Sequence, residues 1–314
     1  MSRSAHPAEP RSPQPTVSVV VVSYNSPLTL ELCLASLSQQ RVREVLVVDC
    51  SDRDPAAALG GRFPQVRFRH LEHKSAIPQM RWEGIRESCG EIVAITESWM
   101  VPCGDWVAAL EECHRRHPSA AVVGGPVGFP LGGQTASALA WADYLSEYGH
   151  YLPLPQGTSE ADCGELPGPN CSYKRGALDE CHELWAQGAW EPFVHAALKQ
   201  KGYRLLYAGR ALVRYHRPVT AGQALRQRYH YGRGFAAERS RGSPLARRML
   251  RAALAPAVPP LMLVRLWRVL SRQPGSRRRL REALGWLLAL YSAWAWGECC
   301  GYLFGPGSSR DRVF

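Results

Sequence analysis

Polar residues at the ends of apolar runs are the places where this sequence can do chemistry. Ser23-Tyr24-Asn25 follows the run 17–22, Asp49 to Asp54 carries three acids directly after the run 44–48, and Glu97-Ser98-Trp99 follows the run 91–96. Further on, Trp190-Glu191 precedes an apolar-periodic stretch, and His216 closes the run 211–215. A carboxylate in such a place can accept a hydrogen bond from a ring N–H, take a proton from a hydroxyl, or ligate a hard divalent cation. An imidazole can join a ligand set, and guanidinium groups can meet phosphate oxygens through charge-assisted bonds.

The elements that would position these residues alternate in type. The Val-rich run 17–22 reads as a strand buried on both faces, and Leu30, Cys33, Leu34 and Leu37 give residues 28–40 a helical period. Residues 44–48 form a second such strand. The pattern continues with a strand over 66–70, a helix over 77–88, strands over 91–96 and 120–125, and helices over 108–117 and 191–201. Residues 205–207 and 211–215 read as edge strands. This alternation predicts an α/β fold with a mainly parallel, Rossmann-like sheet, in which ligands bind beyond the carboxyl ends of the strands.

The charge balance points to an anionic partner. The 314-residue chain carries a formal net charge of +11. Between Arg226 and Arg281 there are 15 Arg and one acid, Glu238, interleaved with long apolar segments, which favours an anionic membrane surface. No zinc-finger spacing, aromatic ladder or repeat offers base readout, so no nucleic-acid partner is expected. The ten cysteines show no ligand or disulfide spacing and read as reduced thiols. The expected organisation is a disordered tail over 1–15, an α/β domain over 16–222, and a basic, hydrophobic helical region over 223–314. Leu263, Leu266, Trp267 and Leu270 share one helical face opposite Arg265 and Arg268, as in a helix lying among lipid headgroups. Residues 283–304 hold one charge, Glu298, and several Trp and Tyr, and are either a single span or a helix packed on the α/β domain. Residues 1–15 have no apolar core, which places the expected domain on the cytoplasmic face of the plasma (inner) membrane.

Together the loops resemble the family 2 glycosyltransferases of GT-A fold, in particular a membrane-associated bacterial-type subset with an Arg- and Trp-rich C-terminal region. The opening Val-Ser-Val-Val-Val-Val-Ser-Tyr-Asn looks like that family's first strand and loop, and Asp49-Cys50-Ser51-Asp52-Arg53-Asp54 looks like its Asp-Asp-Gly-Ser-x-Asp loop, matched outright at Asp49 and Asp54. The resemblance implies that Ser23, Tyr24, Asn25 and Asp49 border the nucleotide, Asp49 selecting the N3–H of a uracil, although an Asp after a strand also serves as a helix cap. The segment 78–84 looks like the family's Ala-Arg-Asn-x-Gly helix and places Arg81 near the diphosphate. Residues 90–99 look like the strand that delivers an Asp-x-Asp signature, here with Glu97 first and Trp99 last.

What remains of the resemblance concerns metal, acceptor and membrane. A divalent cation, Mg²⁺ or Mn²⁺, would be held by Glu97 with His216 completing the set, on a motif one carboxylate short. Asn170 and Arg175, within Gly168–Arg175, would line the donor and acceptor pocket, joined by Arg228 from a Gln- and Arg-containing segment. Glu191 stands where the family places its general base. The implied activity is a hexosyl transfer from a nucleotide sugar, a uridine diphosphate sugar by preference, to a lipid-linked or membrane-resident acceptor with inversion, in cell-envelope polysaccharide or glycolipid synthesis. The alternative is a non-catalytic sugar-nucleotide-binding or assembly protein that kept the fold and lost the metal site.

Overall fold

The computed structural model describes residues 16–129, 136–152, 160–271, 276–309 and Arg312; the expected tail over 1–15 lies outside them. The alternating pattern folds as a sheet of eight strands. β1 (Val17–Ser23), β2 (Glu44–Asp49), β3 (Val66–His70) and β4 (Ile92–Glu97) form its parallel half. β6 (Ala120–Gly124) and β10 (Arg204–Ala208) are parallel to each other, while β9 (Cys171–Lys174) and β8 (Glu160–Asp162) run antiparallel to their neighbours. The order is β3-β2-β1-β4-β9-β6-β10-β8. A second sheet of β5 (Met100–Pro102), β11 (Val213–Tyr215) and β7 (Val127–Gly128) has β11 at its centre.

The two late strands are therefore not edges. β10 has β6 on one side and β8 on the other, and β11 is paired on both sides, because short segments at 127–128 and 160–162 supply partners too brief to show a period. The antiparallel β9 was equally hidden, four residues following a Gly-Pro turn.

Helices α1 (Pro27–Leu37), α2 (Ala56–Leu59), α3 (Ile77–Glu87) and α4 (Trp106–Arg116) cross between the first strands. Then come α5 (Ala138–Tyr148), α6 (Arg175–Glu180), α7 (His182–Ala186), α8 (Glu191–Gln200) and α9 (Ala221–Arg239). α3 sits close on the sheet because Gly84 faces Val20 and Val48, where a Cβ would collide with the Val20 side chain. A glycine here lets α3 come low enough to bring Arg81, one turn earlier, to the strand ends.

The C-terminal helices are α10 (Leu245–Leu254), α11 (Val258–Leu270) and α12 (Ser276–Phe304). α12 lies along α9 and α5 and buries Ala283, Leu287, Leu290, Tyr291 and Ala295, so the segment 283–304 is one side of the protein's packing. Leu266, Leu270 and, from α12, Ala283, Leu287, Leu290 and Tyr291 belong to the same hydrophobic core as the strands. By length and composition, the stretch among the described residues that is apolar enough to cross a membrane is instead Leu245–Leu270, most of it exposed.

Candidate active site

Three parallel strands end level with one another. Ser23 pairs in register with Asp49, and Val22 with Glu97, so the loops after β1, β2 and β4 open on one edge. The first two loops are tied together. Asp49 is buried; one of its carboxylate oxygens accepts from the Ser51 amide at 2.8 Å and the other from the Ser51 hydroxyl at 2.7 Å, with His70 Nδ1 at 3.2 Å. Asn25, at φ 45°, donates its side-chain amide to the Asp52 carboxylate at 3.0 Å and accepts from the Asp52 backbone amide at 3.1 Å. Ser26 bonds Ser98 at 2.6 Å and so links the first loop to the end of β4.

The centre of the edge is a buried charge cluster. Arg81 from α3 donates to Glu97 at 2.5 Å and contacts the carboxylate of Glu191, the first residue of α8. All three side chains are at most 5% exposed. Burial pushes the Glu97 carboxyl up, against the pull of Arg81, to about 7. Glu97 Oε2 has no hydrogen-bond partner among the described residues. Gly168 lies against the cluster, where a Cβ would stand 2.8 Å from Glu191 Oε2. Glycine is what allows the chain to pass so near a buried carboxylate.

A second network abuts the first. Arg228, on α9, donates to Glu147 at 2.5 Å and approaches Asp143 at 3.3 Å, both on α5, while the Tyr215 hydroxyl donates to Asp143. Burial works against the Arg228 charge, but Glu147 and Asp143 outweigh it and hold the guanidinium above its usual range. Sequence reading missed Asp143 and Glu147, although two acids one turn apart on an otherwise aromatic helix are a signal that such a pair has a buried partner. Arg217, also missed, follows His216 directly and lays its guanidinium carbon 4.9 Å over the Trp99 ring.

Beside these groups a cavity of about 530 Å³ opens, bordered by Tyr24 and Asn25 at the first loop and by Trp99 and Arg217 at the β4 end. The structure thus brings Arg81, Glu97 and Glu191 into direct contact, with Ser23, Tyr24, Asn25 and Asp49 along the same edge. The three residues predicted for the donor and acceptor pocket serve elsewhere, Arg228 in the buried network with Glu147 and Asp143. Asn170 is fully buried, accepting from Trp106 Nε1 at 2.8 Å and donating to Pro126 and Ala211 carbonyls, a knot between the two sheets. Arg175 donates to the carbonyls of Ile85, Ser88 and Gly90, at the opposite end of β4 from Glu97, on the order of 17 Å away by strand rise.

For a hard divalent cation this donor set is poor. Such an ion takes several oxygen ligands, whereas Glu97 Oε1 is held by Arg81, the Ser98 hydroxyl is bonded to Ser26, and Trp99 offers none. His216 is joined to the strand end by its backbone, whose amide donates to Trp99 O at 2.8 Å. Among the described residues, the one cluster whose ligand atoms lie within 4.8 Å of each other is Cys113, His117 and Glu160; it contains neither Glu97 nor His216, and Arg116 already bonds its carboxylate.

A mainly parallel sheet with a cavity and charge cluster at its carboxyl edge is an α/β arrangement that binds ligands beyond its strand ends, and its similarity to known proteins places it in the GT-A class. The chain belongs to glycosyl transferase family 2, whose profile matches residues 18–181. The fold is similar to that of "GalNAc-T7 with UDP, GalNAc and Mn2+", at a TM-score of 0.51 and 16% identity over 66% of this chain. The aligned part spans 44% of that protein, less than half its length. Among curated proteins none matches.

Proposed function

We propose that the chain transfers a sugar from a uridine diphosphate sugar to an acceptor hydroxyl, with inversion and with Glu191 as the base. The observation that carries this reading is the buried contact of Arg81 with both Glu97 and Glu191 beside the cavity at the strand ends. The UDP bound by the structurally similar protein supports a uridine nucleotide here, and its Mn²⁺ makes a divalent cation compatible with the fold. In this reading Tyr24 and Asn25, which border the cavity, meet the base, with Asp49 behind them holding the second loop through Ser51, and the diphosphate would extend toward Trp99 and Arg217.

In the step itself, the acceptor oxygen forms a bond to the anomeric carbon while the bond from that carbon to the diphosphate oxygen breaks, its electron pair leaving with the diphosphate. Glu191 takes the hydroxyl proton.

The acceptor in this reading is lipid-linked and the protein sits on the membrane. Leu245, Met249, Leu250 and Leu254 on α10 are each more than half exposed, whereas Arg248 of the same helix turns inward to the carbonyls of Tyr302 and Leu303. An apolar face outward and a cation tucked in is the reverse of a helix facing water.

Transfer or donor hydrolysis, followed by release of uridine diphosphate, tests the reading. The native chain should turn over and Glu191→Gln should lose about a hundredfold or more, the scale of a general base. Equal rates for the two would remove Glu191 from the mechanism, and no turnover with measurable nucleotide binding would favour a binding protein.

A further inference from the structure

The walls of the cavity at the strand ends carry charge of one sign. Lys74, Arg217, Arg226 and Arg312 line it, and among the described residues that do so there is no Asp or Glu. Two of the cations already lie on aromatic rings at its ends, Lys74 4.5 Å over Tyr24 and Arg217 4.9 Å over Trp99. Gln227 lines it too. Its side chain is buried, and neither amide atom has a hydrogen-bond partner among the described residues. Burying an amide so costs stability unless a ligand completes it.

Trp99, 6% exposed, stands where a second carboxylate would be needed for a metal, and Arg81 holds the first. The charge that a cation would bring is therefore supplied by the basic side chains lining the cavity. Resting on the reading of this site as a nucleotide-sugar transferase, we propose that the donor diphosphate is bound directly by Arg217, Arg226, Arg312 and Lys74, with Gln227 donating to it, and that the departing diphosphate is neutralised by these side chains without a divalent cation. Guanidinium groups suit this task because they stay charged and offer paired donors to phosphate oxygens.

Calorimetric titration of the full chain with uridine diphosphate, in chelator and in Mn²⁺, tests it. Affinity should agree between the two conditions within about threefold, and Arg226→Ala with Arg312→Ala should weaken binding in chelator by roughly tenfold or more per side chain, the scale of a charge-assisted bond. Both positions are exposed, so thermal melting of the double variant should match the native chain. Trp99→Asp, which sets a second carboxylate near Glu97, should weaken binding in chelator and make it respond to Mn²⁺. Native binding that appears only with Mn²⁺, or a double variant that binds as the native chain does, would overturn the proposal and leave the transferase reading standing. Failure of every nucleoside diphosphate to bind in either condition would overturn that reading as well.

Discussion

Arg81 Nη2 donates to Glu97 Oε1 at 2.5 Å, and both side chains are at most 3% exposed. The same guanidinium touches Glu191, so one cation stands between two buried carboxylates. Replacing Arg81 with Met would leave both without a counter-charge in a site closed to water. Denaturant unfolding should show a loss of about 3–5 kcal/mol, the scale of a broken buried pair. Arg81→Met combined with Glu97→Gln should recover part of that loss, and no recovery would show that the pair is not coupled.

The titration of Glu97 should be visible in stability. Its carboxyl is raised to about 7 from an ordinary 4.5, so the folded state binds the proton more tightly than the unfolded chain. That contribution is fully present below 4.5 and is lost as pH climbs to 7, about 3 kcal/mol in all. His114 and His195 oppose it: burial drives both down to about 3, so their contribution is present above 6.5 and lost as pH falls. Comparing native and Glu97→Gln melting temperatures between pH 4.5 and 8 separates the two. The native chain should lose stability relative to the variant as pH rises, and parallel curves would refute the shift.

Gly168→Ala probes the placement of Glu191. The added methyl would press on Oε2 at 2.8 Å and turn the carboxylate aside. Turnover should drop by roughly a hundredfold, the cost of a displacement near 1 Å, while uridine diphosphate binds as before. A rate within a factor of about two of native would mean that Glu191 is not where the chemistry happens.

For Arg228 and Asp143 a double-mutant cycle is the informative measurement. Arg228→Met and Asp143→Asn should each destabilise, by about 3–5 kcal/mol for the arginine, and the pair by clearly less than the sum. Additive losses would show that the buried contact is incidental.

The outward face of α10 predicts vesicle binding. The chain should co-sediment with phosphatidylglycerol vesicles, and Leu250→Glu with Leu254→Glu should abolish this with melting unchanged, since both side chains are about 60% exposed. Unaltered sedimentation of that variant would move the contact elsewhere.

The strands 17–23, 44–49 and 92–97 were legible because strands buried on both faces leave Val- and Ile-rich runs, and the edge strand 66–70 by its short alternation; the polar ends of the buried strands marked the edge where Arg81, Glu97 and Glu191 meet. β7, β8 and β9 were not, being two to four residues long and set by partners distant in sequence. The resemblance located Gly168–Arg175 but could not say which way its side chains turn. Asn170 points into the knot at Trp106, and Arg175 into the far end of β4. Nor could composition tell the packed α12 from the exposed α10, since both are apolar with interspersed Arg, and only tertiary contacts decide which side faces inward.

The reach of Arg228 into α5 has a bearing on how such a chain can change. A tail that buries a charge against carboxylates of the catalytic half is no detachable module: ending the chain at residue 222 would remove the guanidinium that pairs with Asp143 and Glu147. Exchanging the tail wholesale would cost the half it was grafted onto a buried ion pair, so change in this chain is more cheaply made by substitution within the helices.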